Sequence, residues 1–505
     1  MNRRILSFSP MIMEFVIKRS AVTIDIPLRC EGDYIIDWGD DEPGDKYSNE
    51  PAININTHCY KTRGTYLIKI YGMINSISGW DRGSSKYLQK VISYGNHLIK
   101  KLAFESAESL ISVPDKLPKG ITDISHLFDG AKNFNSPING FDTSTVIDMS
   151  CMFFNALKFN HQLDNFDTSN VIDMSYMFCA ALAFNHQLDN FNTSNVTDMS
   201  YMFCGASEFN QQINNFNTSR VTNISEMFSN ARQFNQHVNF DTKKVQNMSH
   251  MFFNASKFNQ SDRPLPIDFD TSNVRTMRGM FCNATSFNQS FSSKFDTSNV
   301  VNMQSMFSGA VNFNPLDSSL PFEFNTSNVT RMDGMFQNAK RFNPSNGLQP
   351  FDAFDTSKVF SMRNMFRGAK KFNPVAIIFN SVNVIDMNSM FYGCKKLNCA
   401  IYLNTLNVTD MGSMFYDCTK FNQEIDFDTS KVTDMSGMFY NCKSFNPSDQ
   451  LLKNFDMRNV VARENMFFGV TKFDKYVINA RFYNKKYGKN KQHARRFDNP
   501  YFNNY

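Results

Sequence analysis

The side chains of this chain best suited to chemistry by type and spacing are His161, Asp164, His186 and Asp189, two His-Asp pairs 25 residues apart. Imidazole and carboxylate groups in that pattern would share a metal ion if two segments lay side by side. Yet the surrounding stretches, HQLDNFDTSN (161 to 170) and HQLDNFNTSN (186 to 195), are near duplicates, so copying accounts for the coincidence and no metal is expected. Asp37, Asp40, Asp41, Glu42 and Asp45 form an acidic loop that could hold a hard cation, but they lack EF-hand spacing and read as a solvated turn. Cys179 and Cys204 recur at one phase, as do Cys394, Cys418 and Cys442, which replace Ala156, Ala181 and Ala206 of other copies and so read as small buried residues. A disulfide between Cys179 and Cys204 is geometrically conceivable, though free thiols are the expectation. There is no phosphate-binding loop, dinucleotide fingerprint, nucleophile elbow or zinc-protease helix. No catalytic residue and no cofactor are therefore assigned, and the chain reads as non-enzymatic.

What would bring such groups together is a repeat. The chain contains 52 Phe and 29 Met against 2 Trp, which points to one apolar unit used many times. Aligned on the Val of the phrase NVTDMSxMF, the copies start at Ile121, Val146, Val171, Val196, Val221, Val245, Val274, Val300, Val329, Val359, Val384, Val408, Val432 and Val460. Fourteen units of about 25 residues are one-coil lengths. In the unit at Val171, the apolar or small residues Met174, Met177, Phe178, Ala181 and Phe184 have the spacing of one face of a short helix, with Asp173 or Ser175 as its cap. Leu188 and Phe191 follow in an extended segment, and Asn192-Thr193-Ser194-Asn195 turns into the next unit. Stacked coils would bury a continuous column of Met and Phe that one coil cannot bury alone. The Asn after the repeated Phe (Asn160, Asn185, Asn210, Asn235 and onward) reads as a ladder whose amides satisfy backbone groups at the bends. The predicted fold is thus an α/β solenoid of about 14 to 15 repeats of about 25 residues, preceded by a small all-β sandwich.

The phrases FNHQLDNFDTSNVIDMSYMF (159 to 178) and FNQEIDFDTSKVTDMSGMF (421 to 439) resemble the BspA-like leucine-rich repeats of surface proteins in Mycoplasma, other bacteria, some protists and large DNA viruses of amoebae. AFESAESLISVP (103 to 114) resembles the Treponema-type version and would form a degenerate first coil. The resemblance implies a right-handed, leucine-rich-repeat-like coil, and attachment or host interaction. In residues 1 to 78, IDWGDDEPG with His58, Tyr60, Gly64 and Tyr66 resembles the PKD-like β-sandwich, a module that implies a spacer. MIMEFVIK, AVTIDIPL, DYIIDW and TYLIKIYG read as its strands. The expected organisation is 1–78 sandwich, 79–120 connector and capping repeat, 121–470 repeats, and 471–505 basic tail.

That tail carries nine Lys or Arg and two Asp, a net of +7, which leaves −2 on the rest of a chain whose total is +5. Its interleaved aromatics could grip a nucleic-acid or anionic surface, although a solubilising cap on the last coil is the simpler reading. No apolar run approaches a membrane helix, and the interrupted N-terminal stretch predicts no secretory signal, so an intracellular or virion setting is the default.

The expected partner is a protein or glycan surface, with self-association as a structural component as the alternative. Four successive units, from Val245 to Val359, are longer than the rest. All the excess falls between the Phe-Asn pair and the next turn, as 261–268, 290–294, 315–323 and 344–353. Insertions at one phase project from one edge, where repeat proteins often bind, so Arg263, Leu265, Leu320, Phe322, Leu348 and Phe351 are the candidate partner-binding residues.

Overall fold

The computed structural model describes residues 9–40, 45–47, 54–81, 83–260, 267–314, 324–344, 354–446, 448 and 454–471. Strand β1 (Met11–Ile17) alternates buried and half-buried residues, as a two-residue period requires. It lies between β5 (Gly64–Ile77) and β6 (Leu88–Ser93), antiparallel to both. AVTIDIPL and DYIID belong to one long strand, β2 (Val22–Asp37), rather than two. Two register shifts, between Arg29 and Cys30 and between Glu31 and Ile35, bend β2 so that it pairs with β4 (Asn54–Tyr60) at one end and β3 (Asp45–Tyr47) at the other. With β7 (Lys101–Leu102), these strands make one sheet of seven. Buried Asn56 accepts from Tyr34 Oη at 2.7 Å and donates to the Ile26 carbonyl at 3.0 Å.

β7 runs parallel to β5 and begins a series of parallel bridges, Lys101 to Asp123, Asp123 to Asp148, Asp148 to Asp173 and on to Ala462. The repeats therefore stack directly on the sheet, and the buried side chains of both form one cluster. Ala103, Phe104, Ala107 and Leu110 are fully buried at the junction.

The predicted α/β solenoid is not what the repeats form. The elements among the described residues are nine strands and one 3-10 turn, Ser85–Tyr87; none is an α-helix, so the leucine-rich-repeat-like helical coil is overturned. The backbone hydrogen bonds explain why. In the unit at Val171 the N–H groups of Met174, Tyr176, Phe178 and Ala180 donate to Asp198, Ser200, Met202 and Cys204 on the next coil, at 2.6 to 3.3 Å. The intervening N–H groups of Met177, Cys179 and Ala181 bond three residues back, closing successive four-residue turns. An α-helix would consume every one of these donors four residues back, within its own turn. What breaks the helix is a pair of left-handed residues per coil, here Tyr176 (φ 57°) and Ala180 (φ 56°). Apolar residues spaced by three and four fit a chain of such turns as well as they fit a helix face. Thirteen of the fourteen residues at the second left-handed position are Gly, Asn or Asp; only Ala180 departs. We expect Ala180→Gly to raise unfolding stability by about 0.5 to 1 kcal/mol, since relief of the left-handed penalty exceeds the entropy cost of Gly. Denaturant midpoints of the two proteins check this.

Two columns of phenylalanine fill the stack. Phe153, Phe178, Phe203 and Phe228 repeat with ring centroids 5.4 to 5.7 Å apart. Phe159, Phe184, Phe209 and Phe234 run beside them at 6.0 to 6.1 Å. Within a coil the two rings lie 4.0 to 4.1 Å apart, so each ring is packed on three others. Polar ladders close the bends. The Asn185 side-chain oxygen accepts the N–H of Asn210 at 2.9 Å, and equivalent bonds run from Asn160 to Asn446. Fully buried Thr168 and Thr193 donate to the carbonyls of Asn192 and Asn217 on the following coils, both at 3.0 Å.

Candidate functional site

The stretch between the Phe-Asn pair and the next turn forms one edge of the stack. On the coils from 146 to 220 this edge opens into a cleft of about 430 Å³ lined by Gln162, Asp164, Asn185, His186, Gln187, Asp189, Asn190 and Gln211. Every lining side chain is polar. Buried Leu163 and Leu188 point the other way and anchor the edge to the core. The coil-to-coil ladder sets the register: His161 Nε2 donates to the Asn135 carbonyl at 3.0 Å, His186 Nε2 to the Asn160 carbonyl at 3.1 Å, and Gln211 Nε2 to Asn185. Each imidazole thus ties one coil to its predecessor. Asn190 Nδ2 donates to the Asp164 carbonyl at 2.8 Å, holding the two Asp residues on adjacent coils. The His-Asp pairs are brought together as the copying of the repeat requires, and no metal-holding group of three or more ligands is found among the described residues. Repeated amides offering both donors and acceptors, beside carboxylates that accept, can bind a polar ligand along the stack.

The insertions share this phase. Where they are described they add pairing to the edge: Ile267 bridges Phe291 in parallel, and Lys294 Nζ lies 2.7 Å from Asp268 Oδ2. On the coils that start at Val359 and Val384, β8 (Ala376–Phe379) and β9 (Ala400–Leu403) form a parallel pair at the same phase. The expected partner-binding residues Arg263, Leu265, Leu320, Phe322, Leu348 and Phe351 lie outside the described residues, as does the basic tail from 472. Gln162, Gln187, Asn190 and Gln211 were not singled out in the sequence; their only signal was recurrence at polar positions of the unit.

Near the N-terminus, Asp40 Oδ2 sits 2.6 Å from His58 Nε2, whose ring stacks on Trp38 at 5.0 Å. Tyr60 Oη donates to the Trp38 carbonyl at 2.7 Å, and burial pushes that phenol upward. The WGD turn is therefore fastened to the following strand by its own side chains. Asp41 and Glu42 of the acidic loop fall outside the described residues.

All ten cysteines are free. Cys394, Cys418 and Cys442 are buried and donate to the carbonyls of Phe366, Phe391 and Phe415 at 2.8 to 3.0 Å, and burial pushes all three thiols up.

A model of the family described as "Mycoplasma protein of unknown function, DUF285" matches residues 100–197, 183–264, 263–376, 322–403, 343–446 and 376–481. No curated protein and no solved structure matches the chain.

Proposed function

This chain belongs to the DUF285 family of Mycoplasma proteins of unknown function, and on that premise we propose that it is a non-enzymatic recognition protein whose polar repeat edge binds a glycan. The observation that carries the reading is the cleft across residues 162 to 211. Sugar hydroxyls both donate and accept, and the amides of Gln162, Gln187, Asn190 and Gln211 do the same. Protein partners are usually gripped by buried aromatic or Arg anchors, which this cleft lacks. Equivalent groups recur on the three coils that start at Val146, Val171 and Val196, which suits a polymer of repeating units. The insertions carrying Arg263, Leu265, Leu320, Phe322, Leu348 and Phe351 fall at the same phase of the unit in the sequence and are proposed to widen the contact. In this proposal the repeats are of the BspA-like class, serving attachment, and the N-terminal sheet is a PKD-like spacer. The fastening of Trp38, His58 and Tyr60 supports that assignment.

Probing immobilised polysaccharides with the full chain tests the reading. We expect saturable binding that weakens about tenfold or more when Asp164→Asn and Asp189→Asn are combined, since each removes a charge-assisted hydrogen bond of about 1.5 to 3 kcal/mol. Equal retention of parent and double variant removes the cleft as the site. Concentration-dependent filaments in light scattering would instead favour a self-associating structural component.

A further inference from the structure

Positive charge gathers at one phase of the stack, away from the polar cleft. The two residues that stand eleven and twelve positions after each repeated Val or Ile lie outside the buried columns, on the turn that follows the second left-handed residue. On the coils that start at Val329, Val359 and Val384 they are Lys340 and Arg341, Lys370 and Lys371, and Lys395 and Lys396. Lys420 and Lys443 continue the series on the next two coils, and all eight side chains are exposed. The backbone keeps them in line. The Lys371 N–H donates to the Lys340 carbonyl at 3.3 Å, Thr419 Oγ1 to the Lys395 carbonyl at 3.4 Å, and Thr471 Oγ1 to the Lys443 carbonyl at 3.1 Å. At about 4.8 Å per coil the stripe runs straight for about 19 Å. One carboxylate reaches it among the described residues: Asp417 lies 3.4 Å from Lys395 Nζ and also accepts from Asn441 Nδ2 at 2.6 Å. The stack does not impose this charge. Over the eight coils from Ile121 to Val300 the same positions hold four cations, Lys132, Lys158, Arg232 and Lys257, together with Glu208 and uncharged residues such as Leu157 and Thr285. Lys132 is itself paired with Glu108 at 2.7 Å. The basic run thus stands out on a body whose first 470 residues carry a net charge of −2.

Like charges held at one-coil spacing repel one another, and a bound polyanion both relieves that repulsion and releases its own counterions. We propose that this stripe binds an anionic polysaccharide, with its sulfate or carboxylate groups lying along the coils from Val329 to Val432. A straight row suits an extended chain. Seven of the eight cations are Lys, which acts as a point charge, whereas the planar fork of Arg is the group suited to bidentate recognition of phosphates and bases. The aromatic ladder on the same coils argues the same way. Tyr392, Tyr416, Tyr440 and Phe468, each eight positions after its Val, stack at 4.3 to 4.9 Å, and the Arg367 guanidinium lies 4.5 Å over the Tyr392 ring. Single-stranded nucleic acid is held by bases stacked on open aromatic faces, and here the Tyr faces are taken up by one another and by Arg367. The stripe is independent of the cleft across residues 162 to 211, where Asp164 and Asp189 would repel an anionic chain.

The test uses the full chain, heparin as a sulfated polysaccharide, and two variants that lose the same charge at the same phase. One combines Lys370→Gln, Lys371→Gln, Lys395→Gln and Lys396→Gln; the other combines Lys132→Gln, Lys158→Gln, Arg232→Gln and Lys257→Gln. Both keep the basic tail, so its contribution cancels. Heparin affinity at about 0.15 M salt is expected to fall about tenfold or more in the first variant and less than about twofold in the second. The slope of log affinity against log salt should shrink by about 3 in the first variant, at roughly 0.7 to 0.9 for each cation removed. Absence of heparin binding by the parent, equal losses in the two variants, or an unchanged salt slope in the first each overturns the proposal. So does tighter binding of a single-stranded deoxythymidine oligonucleotide, or of anionic phospholipid vesicles, than of heparin.

Discussion

Phe203→Ala is expected to lower unfolding stability by about 3 to 5 kcal/mol, the usual cost of emptying a buried aromatic site. Phe203 is fully buried, with Phe178 5.6 Å away on one side, Phe228 5.7 Å on the other and Phe209 4.1 Å within its coil. Three stacked contacts are lost at once, and the cavity cannot collapse because the backbone on both sides is pinned by coil-to-coil hydrogen bonds such as Phe203 N–H to the Met227 carbonyl, 2.9 Å. In a stack held by nearest neighbours the damage spreads along the axis before it spreads anywhere else. Hydrogen exchange should therefore show protection lost first across residues 171 to 230. Retained protection there would mean that the columns do not hold the coils together. Ile172→Thr is the matching control: Ile172 is 47% exposed, and the equivalent residue one coil later is Thr197, so its effect should stay within about 0.5 kcal/mol.

Asn185→Ala is expected to cost about 1 to 3 kcal/mol although it removes no core side chain. The Asn185 side-chain oxygen accepts from the Asn210 N–H at 2.9 Å and from Gln211 Nε2 at 3.0 Å. Truncation strands a half-buried backbone donor at the bend, where neither sheet pairing nor a helical carbonyl can take it up. Asn185→Asp keeps the acceptor and should recover most of the loss. Chemical denaturation of the three proteins decides the matter; equal losses for Ala and Asp would show that the amide acts through something other than its oxygen.

The repeat period, the inward residues and the asparagine ladder were all legible, because each recurs at fixed phase. The helix was misread. Met174, Met177, Phe178 and Ala181 carry the same spacing in a run of four-residue turns as on a helix, and periodicity alone cannot separate the two. The deciding signal was present in the Gly, Asn and Asp residues that stand nine positions after thirteen of the fourteen repeated Val or Ile anchors, since those residues tolerate a left-handed backbone. Strands of the N-terminal sheet could be read from alternation. Their pairing could not, as Leu88–Ser93 joins β1 only through contacts distant in the chain. For the cleft, His186, Asp164 and Asp189 stood out by type, whereas Gln162 and Gln211 did not, because polar edge residues obey no burial pattern.

Because each rung of the asparagine ladder, each bridge and each ring contact joins equivalent positions, the stack measures distance in whole coils. Removing residues 171 to 195 would join Asn170 to Val196 and let Phe153 meet Phe203 as it now meets Phe178. No new kind of contact is needed, and only the number of rungs changes. The near-identity of the coils at Val146 and Val171 is the mark such a change leaves in a sequence. Unequal crossing-over could therefore lengthen or shorten this molecule in steps of one coil, altering its reach while leaving the character of its surface untouched.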